Sequence, residues 1–156
     1  MTISVRRTGR LAPPDLADLV QRDEAIHGES GFRRWEFPTF ADYGRNYILE
    51  AGGDFAGSAQ LIRTWDDPST AYLAGFGLTE GYQGRGLGGR FLAMLLDELA
   101  ADEVSAVELS AAPGNAPAVR MYENAGFQII ENQAGRYGPG EDRLIMRLEL
   151  RGEDKS

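Results

Sequence analysis

The 156-residue chain contains no cysteine, only one histidine and no long apolar segment. The lack of cysteine excludes disulfides, thiolate zinc sites and a cysteine nucleophile. The single histidine, His27, is too few for a histidine-based metal cluster. The longest apolar run, residues 91–96, is too short to span a bilayer, and the first residues lack the apolar core of a signal peptide. We therefore expect a cytoplasmic protein that binds no metal and does not enter a membrane.

Basic residues are also in short supply. The chain has 16 lysines and arginines against 24 aspartates and glutamates, which gives a formal net charge of −8 at pH 7. This surplus of acid argues against nonspecific nucleic-acid binding, because that requires a basic surface. An acidic surface attracts cations such as amines. The same charge also arises from solubility alone, so it does not identify a ligand.

Apolar periodicity and turn residues predict one α/β domain over residues 1–150, followed by a polar tail at 151–156. Thr39 is expected to cap a short second helix, and Gly52 with Gly53 suits a tight hairpin turn. The strand at 104–111 is expected to lie parallel to that at 70–78, since a helix connects them. The expected strands are 3–6, 46–51, 54–64, 70–78, 104–111, 127–133 and 143–150, and the four helices begin near residues 13, 39, 87 and 116.

A glycine-rich segment, Tyr-Gln-Gly-Arg-Gly-Leu-Gly-Gly-Arg at 82–90, joins the strand at 70–78 to the next helix. Glycine permits positive φ and close backbone approach. The start of a helix presents unpaired amides and the positive end of its dipole. The segment therefore predicts a binding site for a phosphate or a diphosphate.

Two phosphate-binding motifs fit this segment poorly. A nucleotide P-loop needs Lys-Ser or Lys-Thr after its last glycine, whereas Gly89 is followed by Arg90. Residues 84–89 do satisfy the dinucleotide pattern G-x-G-x-x-G. That fold requires an acid at the end of the next strand, but the strand ends in alanines and Glu108 lies inside it. An antiparallel meander also precedes the segment, so the dinucleotide alternative stays open but is disfavoured.

Read one residue earlier, the segment resembles a coenzyme A signature. The letters QGRGLG at 83–88 are similar to the Q/R-x-x-G-x-G/A motif of the GNAT superfamily of N-acetyltransferases. A second block, NAPAVRMYENAGF at 115–127, resembles the N-x-x-A-x-x-x-Y-x-x-x-G-F block of the same family. The resemblance covers residues 70–150 and is specific because both blocks occur together. It implies a mixed, mostly antiparallel sheet of about seven strands and four helices, splayed between strands 4 and 5.

The resemblance also implies a set of ligand-binding residues. Acetyl-CoA is the implied acetyl donor, and Tyr122 is the implied general acid near its sulfur. A tyrosine that only packs its helix onto the sheet would leave the same pattern. Gly77 suits a bulge that opens the sheet, or simply close packing. The implied cofactor-binding residues are Phe76, Gly77, Leu78, Gln83, Gly84, Arg85, Gly86, Leu87, Gly88, Gly89, Arg90, Asn115 and Ala118.

The chain departs from the family at the general base. Family branches place a glutamate at the position of Tyr72 or at that of Ser110, and neither residue is an acid here. Deprotonating a lysine-like amine of pKa ~10.4 at pH 7 costs about 4–5 kcal/mol, but an α-amine of pKa ~8 costs only about 1. The sequence thus favours an α-amine or another weakly basic amine. Candidate bases in the first part of the chain are Glu24, His27, Glu29 and Glu36.

The closing hairpin resembles that of the protein N-terminal acetyltransferase branch, which includes the ribosomal-protein alanine acetyltransferases. The predicted acceptor-binding residues are Glu36, Tyr72, Tyr137 and Glu141, although residues 138–140 equally make a turn with no further role. We predict direct transfer from acetyl-CoA to a peptide α-amine or a small-molecule amine in a ternary complex. The alternative is a catalytically silent acyl-CoA-binding or regulatory domain. A homodimer is compatible with the resemblance, but no residue pattern demands one.

Overall fold

The computed structural model describes residues 1–28 and 36–150. Glu29 and the predicted polar tail lie outside these residues. The described chain contains seven strands, four α-helices and a short 3₁₀ turn, Glu80–Tyr82. The elements are β1 Ile3–Thr8, α1 Pro13–His27, α2 Phe37–Tyr43, β2 Arg45–Ala51, β3 Asp54–Arg63, β4 Thr70–Leu78, α3 Leu87–Ala101, β5 Ala106–Ala111, α4 Ala116–Asn124, β6 Gln128–Gln133 and β7 Arg143–Glu149. None of these helices is long and apolar enough to cross a membrane.

One compact unit comprises residues 1–62 and 74–94. Its strands β1, β2 and β3 pair antiparallel in sequence order. The predicted turn joins β2 to β3, with φ of 58° at Gly52 and 87° at Gly53, values that favour glycine. The start of α3 packs into this unit, because Leu87 and Phe91 are buried in one cluster with Leu49 of β2. This packing fixes the direction in which α3 leaves the glycine-rich segment.

Helices α1 and α2 of this unit share a second apolar cluster around Leu19, Phe37 and Ala41. The prediction that Thr39 caps α2 is wrong. The helix begins at Phe37 with Glu36 at the N-cap position, and no side chain caps it. Pro38 explains the earlier start, because proline has a fixed helical φ and lacks the amide that a cap would satisfy.

The other compact unit comprises residues 63–73 and 95–156, of which 151–156 are not described. Strand β7 lies between β5 and β6 and is antiparallel to both. A turn precedes β4, where the Asp67 carboxylate accepts from the Ser69 amide at 3.2 Å and from the Thr70 hydroxyl at 2.8 Å. The last residues of α4 lead into Gly126, whose φ of 106° fits the predicted left-handed helix end.

Together the strands form a seven-stranded sheet in the order β1-β2-β3-β4-β5-β7-β6. Strands β4 and β5 pair parallel, and their register covers Thr70–Tyr72 against Ala106–Glu108. Strand β4 continues to Leu78 and β5 to Ala111 beyond this pairing. The predicted fold, a mixed and mostly antiparallel sheet splayed between strands 4 and 5, is confirmed.

Candidate functional site

The glycine loop, defined here as residues 83–90, is attached to the end of β4 by a side chain. Gln83 Nε2 donates a hydrogen bond to the carbonyl oxygen of Leu78 at 2.9 Å. The amide of Gln83 also donates to the carbonyl of Glu80 at 3.2 Å. The motif glutamine therefore positions the main chain of the loop.

The first glycines of the loop adopt backbone conformations that other residues avoid. Gly84 has φ of 73° and Gly86 has φ of 72°. A Cβ at either residue would meet no atom within 4 Å, so the backbone angle, and not crowding, calls for glycine. Within the described residues, the amides of 84–86 have no hydrogen-bond partner. These donors are available to an acceptor from outside the protein.

The remainder of the loop forms the first turn of α3. Leu87 is only 3% exposed and anchors the helix start, while Gly89 and Arg90 are exposed. A helix of 15 residues presents its first amides and its positive dipole end to this region. The guanidinium of Arg85 lies 5.7 Å from the ring centre of Tyr82. Main-chain donors and two exposed cations therefore occur together, a combination suited to an anion.

The end of β4 holds the residues predicted to lie along the pantetheine arm. Phe76 is partly buried against the apolar cluster and Leu78 is 8% exposed. At Gly77 a Cβ would lie 2.4 Å from Ile26 Cγ2 and 2.8 Å from His27 Cε1. Close packing of α1 against β4 thus accounts for this glycine, in agreement with the packing alternative.

The second predicted block forms α4 and the turn before it. Asn115 is the N-cap of α4, and its Oδ1 accepts from the amide of Ala118 at 3.3 Å. The exposed Asn115 keeps its Nδ2 donor for other partners. Ala118 is half-buried. The structure therefore gives Asn115 a capping role that the motif spacing alone did not reveal.

Tyr122, the predicted acid, lies on the same helix. Its ring meets Phe127 edge to face, with centroids 5.7 Å apart at 67°. Burial raises the pKa of Tyr122 to about 12, against the opposing effect of the Arg143 charge. The phenol therefore keeps its proton across the physiological range, as a general acid must.

The predicted residues Tyr72 and Tyr137 belong to one group with Ser110, Arg136 and Arg143, which we call the tyrosine–arginine cluster. The guanidinium of Arg143 lies 5.2 Å and that of Arg136 5.8 Å from the ring centre of Tyr137. Arg143 Nε donates to Ser110 Oγ at 3.4 Å. Arg136 Nη1 donates to Gln133 Oε1, and the nearby Tyr137 and Tyr72 raise the pKa of Arg136. All five residues belong to the second compact unit.

Arg136 and Arg143 were not predicted as site residues. Their signal was present, because they flank the predicted Tyr137 loop, but arginines of a β-hairpin are most often solvated. No site role was predicted for the ion pair of Glu108 Oε2 with Arg147 Nη1, which is 2.6 Å long. Glu108 lies two residues before Ser110 on β5, so both side chains lie on the same face of the sheet.

The remaining candidates are dispersed. Glu24, Glu36 and Glu141 are exposed, and the structure does not bring Glu36 together with the tyrosine–arginine cluster in one unit. His27 Nε2 lies 3.8 Å from Asp23 Oδ1. In the part of the chain that the structure describes, no three acids or histidines are grouped to hold a metal ion.

Three comparisons bear on identity. The model of the Acetyltransferase (GNAT) family matches residues 14–127. The [ribosomal protein bS18]-alanine N-acetyltransferase of Escherichia coli is 32% identical over 123 residues, covering 74% of this chain and 81% of that protein. A crystal structure of that Escherichia coli enzyme superposes with a TM-score of 0.79 at 24% identity, over 99% of both chains.

Two further proteins are similar. The mycothiol acetyltransferase of Beutenbergia cavernae is 33% identical over 120 residues, which is 73% of this chain but only 40% of that protein's length. An acetyltransferase of Bacillus subtilis, solved in complex with CoA, has a TM-score of 0.76 at 17% identity, over 95% of this chain and 100% of the other. The family match covers both sequence blocks from which the resemblance was inferred, and the chain belongs to the acetyltransferase (GNAT) family.

Proposed function

We propose that the protein is an N-acetyltransferase that transfers the acetyl group of acetyl-CoA directly to a primary amine in a ternary complex. The observation that carries the proposal is the row of unpartnered amides at residues 84–86, held at positive φ before the start of a helix. Such a row binds diphosphate without any side chain. Membership of the acetyltransferase (GNAT) family supports coenzyme A as the source of that diphosphate.

In this proposal the amides of residues 84–89 bind the diphosphate of acetyl-CoA, and Arg85 and Arg90 add positive charge. The backbone of Phe76–Leu78 pairs with the pantetheine arm as an additional strand would. Asn115 Nδ2 donates to an amide of that arm, and Ala118 leaves room for it. The similarity of fold to the Bacillus subtilis acetyltransferase supports this cofactor.

The transfer step uses Tyr122 as the acid. The amine attacks the thioester carbonyl carbon, the C–S bond breaks, and the departing thiolate takes the phenolic proton of Tyr122. Because the chain contains no cysteine, an acyl-cysteine intermediate is excluded and direct transfer is favoured. The high pKa of Tyr122, raised by burial, keeps the proton in place until the thiolate forms.

The acceptor is proposed to be an α-amine or another weakly basic amine, bound by Tyr72, Tyr137 and Glu141. Such an acceptor does not require the glutamate that family branches have at the position of Tyr72 or Ser110, since deprotonating an α-amine at pH 7 costs only about 1 kcal/mol. Two relatives, named as a [ribosomal protein bS18]-alanine N-acetyltransferase and a mycothiol acetyltransferase, indicate that both peptide and small-molecule acceptors should be tested.

The test measures thiol release from acetyl-CoA with a panel of amines: peptides that begin with alanine, lysine side-chain analogues and small-molecule amines. We expect release with at least one α-amine and intersecting initial-velocity patterns, as a ternary complex requires. Parallel patterns would exclude direct transfer. Tight binding of acetyl-CoA without release on any amine would favour the silent acyl-CoA-binding domain.

A homodimer and a cytoplasmic location remain predictions. Sedimentation of the purified protein across a range of concentrations tests the first, and fractionation of the source cells tests the second. Neither result affects the proposed chemistry, because all residues assigned to it belong to one chain.

A further inference from the structure

The loop between β6 and β7 holds an exposed tyrosine in a fixed position. Gly135 has φ of 65° and Gly138 has φ of 132°. The amide of Gly138 donates to the carbonyl of Gly135 at 3.0 Å, and that of Glu141 donates to the carbonyl of Gly138 at 3.0 Å. Asp142 Oδ1 accepts from the amide of Gly135 at 2.8 Å. These bonds order the backbone on both sides of Tyr137, although 58% of that residue is exposed.

Two guanidinium groups accompany the ring of Tyr137, at 5.2 Å for Arg143 and 5.8 Å for Arg136. Among the described residues, no carboxylate lies within salt-bridge distance of either arginine. Within the described residues, their positive charge is therefore not neutralised by a carboxylate. A negative phenolate oxygen at this place would be stabilised by these two charges.

The surroundings of Tyr122 and Tyr137, two tyrosines of the same unit, shift their pKa values in opposite directions. Burial raises the pKa of Tyr122 to about 12. Burial also acts to raise the pKa of Tyr137, but hydrogen bonds with Ser110 and Arg136 and the charges of Arg136 and Arg143 outweigh it and hold that pKa below 10. Two titratable groups shifted in opposite directions are typical of an acid and a base in one reaction.

Of the other acids around Tyr137, Glu108 and Asp142 have partners of their own. Tyr72 lies close enough to Arg136 to affect its pKa. Glu108 pairs with Arg147 at 2.6 Å, and Arg147 also pairs with Glu149. Asp142 accepts from the Gly135 amide. The exposed Glu141 contributes its main-chain carbonyl, which accepts from the Tyr137 amide at 3.4 Å.

From this geometry we infer that the phenol oxygen of Tyr137 is the general base, and that Arg136 and Arg143 stabilise its basic form. The inference rests on the proposed acetyl transfer and supplies the base that it lacks. The Tyr137 phenolate takes one proton from the acceptor ammonium, the amine nitrogen forms its bond to the acetyl carbon, and the C–S bond breaks. The thiolate takes the Tyr122 proton, and the Tyr122 phenolate takes the second nitrogen proton. One proton leaves to solvent when Tyr137 ionises again.

The first test follows phenolate absorbance during a pH titration and needs no substrate. Subtracting the curve of Tyr137→Phe from that of the wild type isolates one of the 6 tyrosines. We expect its midpoint below pH 10, and a higher midpoint in Arg143→Gln because a positive charge is lost. Arg143→Lys keeps the charge and should move the midpoint less. A midpoint at or above 10, or one that Arg143→Gln leaves in place, would overturn the inference.

The second test measures kcat and kcat/KM against pH with an amine that the wild type acetylates. Tyr137→Phe should lower kcat by on the order of 10²-fold, with the KM for acetyl-CoA unchanged. In the wild type, kcat/KM should rise as Tyr137 deprotonates, and Arg143→Gln should move this rise to higher pH by the same amount as in the titration. Because the step consumes the ammonium form of the acceptor, the profile should also depend on the amine pKa of that acceptor.

The matched control is Tyr43→Phe. Tyr43 is 78% exposed and also has an arginine over its ring, Arg10 at 5.6 Å. We expect Tyr43→Phe to keep the wild-type pH profile of kcat/KM. The titration midpoint of Tyr43, isolated by the same subtraction, should not change in Arg143→Gln. A higher acceptor KM in Tyr137→Phe with an unchanged profile would make Tyr137 a binding contact and not a base.

Other outcomes identify other bases or separate the two proposals. A rise near pH ~6.5, the usual range of imidazole, that disappears in His27→Gln would assign the base to His27. A profile altered only by Glu108→Gln would assign it to Glu108. Turnover with an unchanged profile in Tyr137→Phe removes the base role alone. No thiol release on any amine by any variant removes the proposed function, and the base role with it.

Discussion

The glycine loop and the tyrosine–arginine cluster consist of different kinds of polar group. The loop consists of consecutive residues and offers main-chain amides, with its side chains mostly exposed. The cluster collects side chains from β4, β5, β7 and the last hairpin, and its backbone is engaged in strand pairing and turn bonds. A main-chain site depends on φ angles, whereas a side-chain site depends on single atoms. Substitutions should therefore affect the two regions through different chemistry.

The largest expected effect comes from a single side chain, that of Tyr122, which belongs to the same compact unit as the cluster. Tyr122→Phe removes one hydroxyl and keeps the ring that meets Phe127 at 5.7 Å, so the fold should be retained. We expect kcat to fall by on the order of 10²- to 10⁴-fold, because the departing thiolate loses its proton donor. The KM for acetyl-CoA should change little. Steady-state kinetics with the acetylated amine measures both constants.

Two controls accompany this variant. The melting temperature of Tyr122→Phe should match that of the wild type, and Tyr43→Phe, which alters an exposed tyrosine, should keep the wild-type kcat. If Tyr122→Phe also keeps the wild-type kcat, the tyrosine only packs α4 onto the sheet and another group protonates the thiolate.

The difference between the two regions also explains what the sequence could predict. The loop and the α4 block are local patterns, so the family resemblance could be recognised from residues 83–88 and 115–127 alone. The cluster joins residues far apart in the chain: Ser110 and Arg143 are 33 positions apart. Only the pairing register of β5 with β7 brings them together, and one sequence does not specify that register to the nearest residue.

Local patterns also failed where a neighbouring residue had the stronger preference. Thr39 is a good N-cap by type, but Pro38 belongs to the first turn, and α2 begins at Phe37. Strand β5 begins at Ala106, two residues after its expected start, because Glu103 has a positive φ of 65° in the turn after α3. Both errors concern element ends, which depend on one or two backbone angles.

The next largest effect should arise in the loop. Gly86→Ala places a side chain at φ of 72°, which costs roughly 1–2 kcal/mol for an L-residue. If the free loop relaxes but the bound loop must keep this angle, acetyl-CoA should bind about 5- to 30-fold more weakly. Gly52→Ala is a matched control, because Gly52 has φ of 58° and equally open space around it. Calorimetric titration with acetyl-CoA should show the loss in Gly86→Ala only, although both variants lose thermal stability. Equal affinity in both would mean that the loop does not bind the cofactor.

A smaller effect should follow from loosening the attachment of the loop. Gln83→Glu replaces the donor that bonds the Leu78 carbonyl at 2.9 Å with an acceptor. The loss of one hydrogen bond is worth about 1 kcal/mol, so we expect acetyl-CoA to bind about five-fold more weakly. Gln21→Glu makes the same change of charge at an exposed position of α1 and should leave the affinity unchanged. If both variants weaken binding equally, net charge and not loop geometry is responsible.

The smallest effect should come from the side chains of the loop itself, and it decides whether the comparison holds. Arg85 is exposed and stacks on Tyr82, and an exposed charge contributes only about 0–1 kcal/mol to an ion pair. Arg85→Gln should therefore weaken acetyl-CoA binding less than Gly86→Ala does, and raising the salt concentration should reduce the difference from wild type. Arg7→Gln, which removes an exposed charge from β1, serves as the control. If Arg85→Gln weakens binding more than Gly86→Ala, the loop binds the diphosphate by its side chains, and both regions of the molecule act through the same kind of polar group.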